Sequence, residues 1–180
     1  MASPENILLH LPEEEEAQVR EIFARLAERG FPAQQQTPHI TITFSRSMAP
    51  EVVNRAADLL PPVIPARFHR VGTVVFGRKR KQTVAWLLET SDELEIAARE
   101  ISTVNPDGRG PRWIPHLTVG LRLPREIVPE YMRALDELTS SQLHEFTAVR
   151  AALWRPAARE LTVLAEASMP NGARARPRPS

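Results

Sequence analysis

The chain has 180 residues, with 23 Lys and Arg against 22 Asp and Glu, a formal net charge of +1. That length suits one domain or two small packed lobes and is ample for a hydrophobic core. The near-neutral charge excludes a global attraction to nucleic acid or membrane and leaves only local basic patches for a polyanion. There is no cysteine, so disulfides, thiolate nucleophiles and Cys-based zinc sites are excluded. No apolar run approaches the roughly 20 residues that cross a bilayer. The start, MASPENILLHLPEEEE, has no basic n-region and turns acidic where a signal peptide would be cleaved. A cytoplasmic protein with no membrane partner is expected.

Asn6 to His10 reads as a short buried strand. LPEEEEAQVREIFARLAERGF follows as a helix, with Pro12 in its first turn, glutamates at the positive end of the dipole and Gly30 at its stop. Val19, Ile22, Phe23 and Leu26 recur at helical spacing and define its core face. His39 to Phe44 alternates polar with apolar, as a half-buried strand does. Pro50 to Leu60 is a second helix closed by Pro61-Pro62. Arg67 to Phe76 and Gln82 to Glu89 are strands on either side of GRKRK, and Ser91 or Asp92 caps a third helix through about Val104. NPDGRGP is a turn, Ile114 to Leu123 a strand and Glu126 to Leu138 a fourth helix. Phe146 to Trp154 and Glu160 to Ala167 are the last strands, joined by a turn around Pro156. The single domain spans 1–169; 170–180, a basic tail with almost nothing to bury, is expected to be disordered.

TPHITITF (37–44) returns as IPHLTVGL (114–121). Strand alternation puts His39, Thr41 and Thr43 on one face, and His116, Thr118, Gly120 and Arg122 on one face of the second copy. Residues i and i+2 are roughly 6–7 Å apart, so a histidine and a threonine at that spacing reach different atoms of one small group. Two such pairs suit a phosphodiester. Imidazoles exchange protons near neutral pH, one activating water and the other protonating the departing oxygen. Hydroxyls donate hydrogen bonds to the non-bridging oxygens. The scheme needs no metal and no cofactor. The alternation of elements, with one motif strand in each half, suggests an internal duplication and an α+β fold of two lobes facing a cleft.

His39-Ile-Thr41 with Thr43-Phe44, and Trp113-Ile-Pro115-His116-Leu-Thr118, resemble the twin His-x-Thr motifs of the 2H phosphoesterase superfamily, in its 2′-5′ RNA ligase-like (LigT-like) cyclic phosphodiesterase branch. The resemblance implies two pseudo-symmetric lobes of mainly antiparallel sheet with flanking helices around a central cleft. It implies hydrolysis of 2′,3′-cyclic phosphates of RNA ends or nucleotides, with His39 and His116 catalytic and Thr41 and Thr118 binding phosphate. By the same resemblance His116 is the base and His39 the acid. Family members often carry arginine five positions after the second histidine; here that position is Leu121, and Arg122 is a substitute on the basis of alternation. Further candidate substrate contacts are Thr43, and Arg78 and Arg80 in the basic run, whose alternative is a solvated turn. Phe44, Phe76, Trp86 and Trp113 are candidate stacking surfaces for a base.

A zinc site is disfavoured because threonine is a poor ligand and neither motif has a second ligand at the right spacing. Ser45 and Ser47 lack a nucleophile elbow. His10, His69 and His144 have no motif context. The partners expected are RNA ends or cyclic nucleotides, met by a monomer. The competing functions are 2′-5′ RNA ligation and a non-catalytic module that holds a nucleotide or RNA end.

Overall fold

The structure is a computed structural model, described for residues 3–168; the tail expected to be disordered lies outside these residues. Its elements are β1 (Glu5–His10), α1 (Glu13–Glu28), β2 (His39–Ser45), α2 (Pro50–Leu59), β3 (Ala66–Phe76), β4 (Lys81–Thr90), α3 (Asp92–Val104), β5 (His116–Pro124), α4 (Val128–Leu138), β6 (Glu145–Ala148), β7 (Arg150–Arg155) and β8 (Glu160–Glu166). Short 3-10 turns at Pro61–Val63 and Arg125–Ile127 follow α2 and precede α4. Local chemistry explains most boundaries. Four glutamates fill the first turn of α1, where the helix dipole favours them. Ser91 caps α3 by accepting a hydrogen bond from the Leu94 amide.

One eight-stranded sheet, antiparallel throughout, runs β6-β3-β4-β5-β2-β1-β7-β8. The helices sort with its halves: α2 packs on α3, which lies on β2, while α1 packs on α4, which lies on β4. Each half therefore has four strands and two helices, the two-lobed α+β arrangement expected from the repeated motif. The lobes adjoin at β2 and β5, whose ladder is a single pair, Ile40 with Leu117. Everywhere else the neighbouring strands pair over several residues, so it is here that the sheet splays.

The expected strand from Phe146 to Trp154 is two strands. β6 pairs with β3 at one edge of the sheet, and β7 pairs with β1 near the other. Val149 alone separates them, so the sheet curls until its ends meet there. The Val149 amide bonds to the His10 carbonyl and its own carbonyl to the Ala167 amide, which pins the corner. A continuous apolar run gives no sign of such a change of partner.

Both motif strands carry a bulge just after the threonine, and β5 has a second one between the pairs Val84–Gly120 and Gln82–Leu123. Ile7 pairs with Thr43 while Leu8 pairs with Thr41, so Ile42 is the extra residue in β2. Ala85 pairs with Thr118 while Val84 pairs with Gly120, so Val119 is the extra residue in β5. A bulge turns two successive side chains to one side. Ile42 and Thr43 are accordingly both buried, as are Val119 and Gly120. This corrects the alternation read from sequence: Thr43 and Gly120 do not share a face with the histidines.

Gly120 packs where no side chain fits. A Cβ there would stand 2.7 Å from both Tyr131 Cε1 and Leu123 Cδ1, and the Tyr131 hydroxyl is held by the Val119 carbonyl. Gly120→Ala is therefore expected to destabilise the fold by about 1–3 kcal/mol, the usual cost of overpacking, seen as a lower midpoint in urea or thermal melts. A variant as stable as the parent would contradict this packing.

Candidate active site at the lobe junction

The antiparallel pairing of Ile40 with Leu117 fixes the site. In that register His39 lies opposite Thr118, and Thr41 lies opposite His116. Around that one paired position the histidines occupy one diagonal of a four-residue square and the threonines the other. All four are half-buried, while Ile40, Leu117, Ile42 and Val119 between them are buried. The apolar face locks each strand to its lobe, and the polar face opens to the cleft.

The two imidazoles are held by the same device. His39 Nδ1 lies 2.6 Å from the Thr37 carbonyl oxygen, and His116 Nδ1 lies 2.7 Å from that of Ile114. A carbonyl only accepts, so each Nδ1 carries the proton and each neutral ring keeps its lone pair on Nε2. Burial pushes both histidines below the ordinary value, against the raising effect of these carbonyl bonds; the charge of His116 lowers His39 further. Both are thus biased toward the neutral form.

Neighbouring elements brace the square. The Trp113 indole donates to the Thr41 carbonyl at 2.9 Å, and the Leu88 amide to the Pro115 carbonyl at 3.0 Å. The Phe76 ring lies against His116, with 4.7 Å between centroids. Beyond the first bulge, Asn105 donates to the Thr43 hydroxyl at 2.8 Å and to the Phe44 carbonyl at 3.0 Å. Thr43, only 5% exposed, therefore clamps the strand end rather than lining the cleft. Ser45 donates to Asp107 at 2.6 Å, which accounts for it structurally.

Past each bulge the fifth residue from the histidine turns out to solvent. Phe44 is 51% and Leu121 44% exposed, and both return to the histidine side of their strands. Arg122 is exposed and has a left-handed backbone, φ 54°; the alternation that assigned it to the His116 face is broken before it. Arg78 and Arg80 sit at the β3–β4 tip, as expected for a hairpin. Arg125 bonds there to the carbonyls of both. Lys81 faces Pro124 in the ladder while Leu87 faces His116, so this basic tip lies at the opposite end of β4 from the square, with the Phe76 ring at its base reaching His116. Trp86 and Trp113 are buried and offer a base nothing; Phe44 and Phe76 remain on the cleft side.

His10 is the residue that motif reasoning passed over. It pairs with His39 on one side and with Arg150 on the other, and Arg150 pairs with Glu166, to which it is also salt-bridged at 2.6 Å. The His10 Nδ1 is buried without a hydrogen-bond partner. Burial lowers its pKa, as do His39 and Arg150, while Glu16 opposes them. The signal was weak: a lone histidine ending the first strand, with no motif around it. Beside this row opens a pocket of about 930 Å³ that reaches from His39 to Trp154 and Leu161. Among the described residues no cluster of three His, Asp or Glu is placed to ligate a metal, and no helix is long and apolar enough to cross a membrane.

Comparison with known proteins agrees with this geometry. The LigT-like phosphoesterase family profile matches residues 9–86, which include the first motif. Among solved structures, Usb1 of Kluyveromyces marxianus superposes with a TM-score of 0.51 at 11% identity, covering 91% of this chain and 98% of that one. That likeness is one of fold. No curated protein matches the sequence significantly. Over residues 9–86 the chain is thus similar to the LigT-like phosphoesterases, and it has the LigT-like fold.

The site's electrostatics can be measured directly. In the free protein His39 and His116 should both titrate below 6.5 in imidazole carbon–proton NMR spectra. Inorganic phosphate should move both upward, since an anion between two imidazoles favours their charged forms. Ordinary titration of both rings, indifferent to phosphate, would contradict a shared anion site.

Proposed function

We propose that this protein is a metal-independent phosphoesterase that hydrolyses 2′,3′-cyclic phosphates, with His39 and His116 as its proton-transfer pair. The observation that carries the reading is the crossed square: each histidine faces the other motif's threonine, and each Nδ1 is tied to a carbonyl two residues back. Nε2 is then the only ring nitrogen free for chemistry, in both histidines.

In this scheme one Nε2 takes a proton from water as the water oxygen bonds to phosphorus. The bond from phosphorus to one ribose oxygen breaks, and the other imidazolium gives that oxygen its proton. The product is a phosphomonoester, and exchange with solvent restores the histidines. Thr41 and Thr118 donate to the non-bridging oxygens, where charge must be stabilised in the transition state. Following the family resemblance, His116 is the base and His39 the acid. Because the base must be neutral and the acid protonated, kcat/KM is bell-shaped in pH, and with both free-enzyme pKa values lowered its maximum lies on the acid side of 6.5.

The experiment is turnover of adenosine 2′,3′-cyclic phosphate in excess chelator, with products identified. Activity should survive chelation. His39→Ala and His116→Ala should each lower the rate by roughly 10²–10⁴-fold and each remove one limb of the bell. Thr41→Val and Thr118→Val should lower it without changing the bell's shape. Activity abolished by EDTA and restored by zinc or manganese would assign another mechanism.

The basic tip favours RNA over a free nucleotide as the substrate. Arg78, Lys79, Arg80, Lys81, Arg122 and Arg125 are all exposed, and none forms a salt bridge among the described residues. Unpaired cations in such a group suit a phosphate backbone. Replacing Arg78, Lys79, Arg80 and Lys81 by glutamine should raise KM for an oligoribonucleotide ending in a cyclic phosphate and leave the mononucleotide's unchanged. The salt dependence of RNA binding should become shallower by about 0.7 for each phosphate that these side chains neutralise in the parent. Equal effects on the two substrates would argue against an RNA track.

A further inference from the structure

The histidines are set in matching motifs, but their surroundings differ. On the His116 side the Phe76 ring is packed against the imidazole. On the His39 side the wall opens into the pocket of about 930 Å³, near the upper end of the roughly 300–1,000 Å³ usual for small-molecule sites. A water molecule needs little room, whereas a leaving group must be housed.

The pocket has two ends of different chemistry. Pairing of β1, β7 and β8 carries the polar row from His39 through His10 to Arg150 and Glu166, and four residues along β7 stands Trp154, facing Leu161. Trp154 is half-buried, and Leu161 and Val163 on β8 are 41% and 47% exposed. The bulge in β8, between the pairs Ala151–Ala165 and Ala152–Val163, turns Leu161 and Val163 to the same side as Glu166. An uncovered apolar surface thus runs directly from a histidine of the site. Two strand spacings and four residues put the His39 and Trp154 Cα atoms about 16 Å apart, enough for a phosphate at one end and an aromatic ring at the other.

We infer that this pocket seats the nucleoside carrying the leaving oxygen, with its base against Trp154 and Leu161. The rim argues for an uncharged group. Glu13 and Glu16 line it, Glu16 being paired with Arg20 at 2.9 Å, and Arg150, the one arginine lining it among the described residues, is tied to Glu166. A phosphate seated at the rim itself would meet carboxylates, whereas a base there carries no charge. Ribose hydroxyls and the amino groups of a base would find acceptors. The proposal rests on the phosphoesterase reading, and it supplies from structure a polarity that the repeated motif lacks: with the ribose in this pocket, the oxygen that leaves does so beside His39.

The test compares adenosine 2′,3′-cyclic phosphate with glycerol 1,2-cyclic phosphate, which has the same ring at phosphorus and no base. Trp154→Ala should raise KM for the adenosine compound about 5- to 100-fold, the weight of one base–aromatic stack. KM for the glycerol compound should stay the same, and Trp154→Phe should recover most of the loss. Equal losses on both substrates would show a merely structural tryptophan, and no loss on either would empty the pocket of this role; both overturn the proposal. Should the parent protein turn over neither substrate, the phosphoesterase reading itself has failed. The pocket is then judged by calorimetry with adenosine 2′-monophosphate. Binding weakened by Trp154→Ala and kept by Trp154→Phe upholds the base site, and binding that is absent or indifferent to residue 154 overturns it.

Discussion

The pairing of Ile40 with Leu117 is where the two lobes' strands meet, and the placement of four polar side chains depends on it. Both residues are fully buried, and burying each side chain is worth about 1.5–3 kcal/mol. That energy holds the strands in one register. A slip by one residue would turn every side chain to the opposite face, sending the histidines inward and the aliphatics into the cleft. The ladder is nevertheless only one pair long. More pairing would zip the lobes together and close the gap between the histidines; none would leave the histidines without a common frame.

The bulges serve the same end. In both strands the extra residue directly follows the motif threonine: Ile42 after Thr41, Val119 after Thr118. Each buries two consecutive side chains and then turns the next outward, so Phe44 and Leu121 occupy equivalent exposed positions. The repetition extends beyond the letters of the motif to its irregularities, which is stronger evidence for duplicated lobes than His-x-Thr alone. The copies secure the bend differently. Thr43 is clamped by Asn105, whereas at the matching place in β5 Gly120 leaves space for the Tyr131 ring.

Much of this was legible in the sequence because it is local. Helix faces such as Val19, Ile22, Phe23 and Leu26, the cap at Ser91 and the facing of His39 with Thr41 all follow from spacing within one element. What failed was counting through a bulge, for Thr43, Gly120 and Arg122, since a bulge is defined by the partner strand and not by its own residues. The division of Phe146 to Trp154 between two sheet edges failed for the same reason. So did the role of His10, which acquires meaning only by lying opposite His39. Cross-strand neighbours are distant in the chain, and no periodicity announces them.

A symmetric pair of motifs poses a physical difficulty for the proposed hydrolysis, which is not symmetric. In the proposed reaction one imidazole is neutral and the other charged, yet each ring has a carbonyl partner two residues back, the same tautomer and a pKa lowered by burial. The motifs cannot decide which is which. The difference must come from what each lobe has built around its histidine. His116 has an aromatic ring against it and lies on the strand that leads to the basic tip. His39 has a second histidine beside it, whose charge would oppose its own, and a pocket with an acidic rim and an apolar end. A leaving nucleoside in that pocket would bring its oxygen to the His39 ring, and the substrate would supply the asymmetry that the duplicated motif lacks.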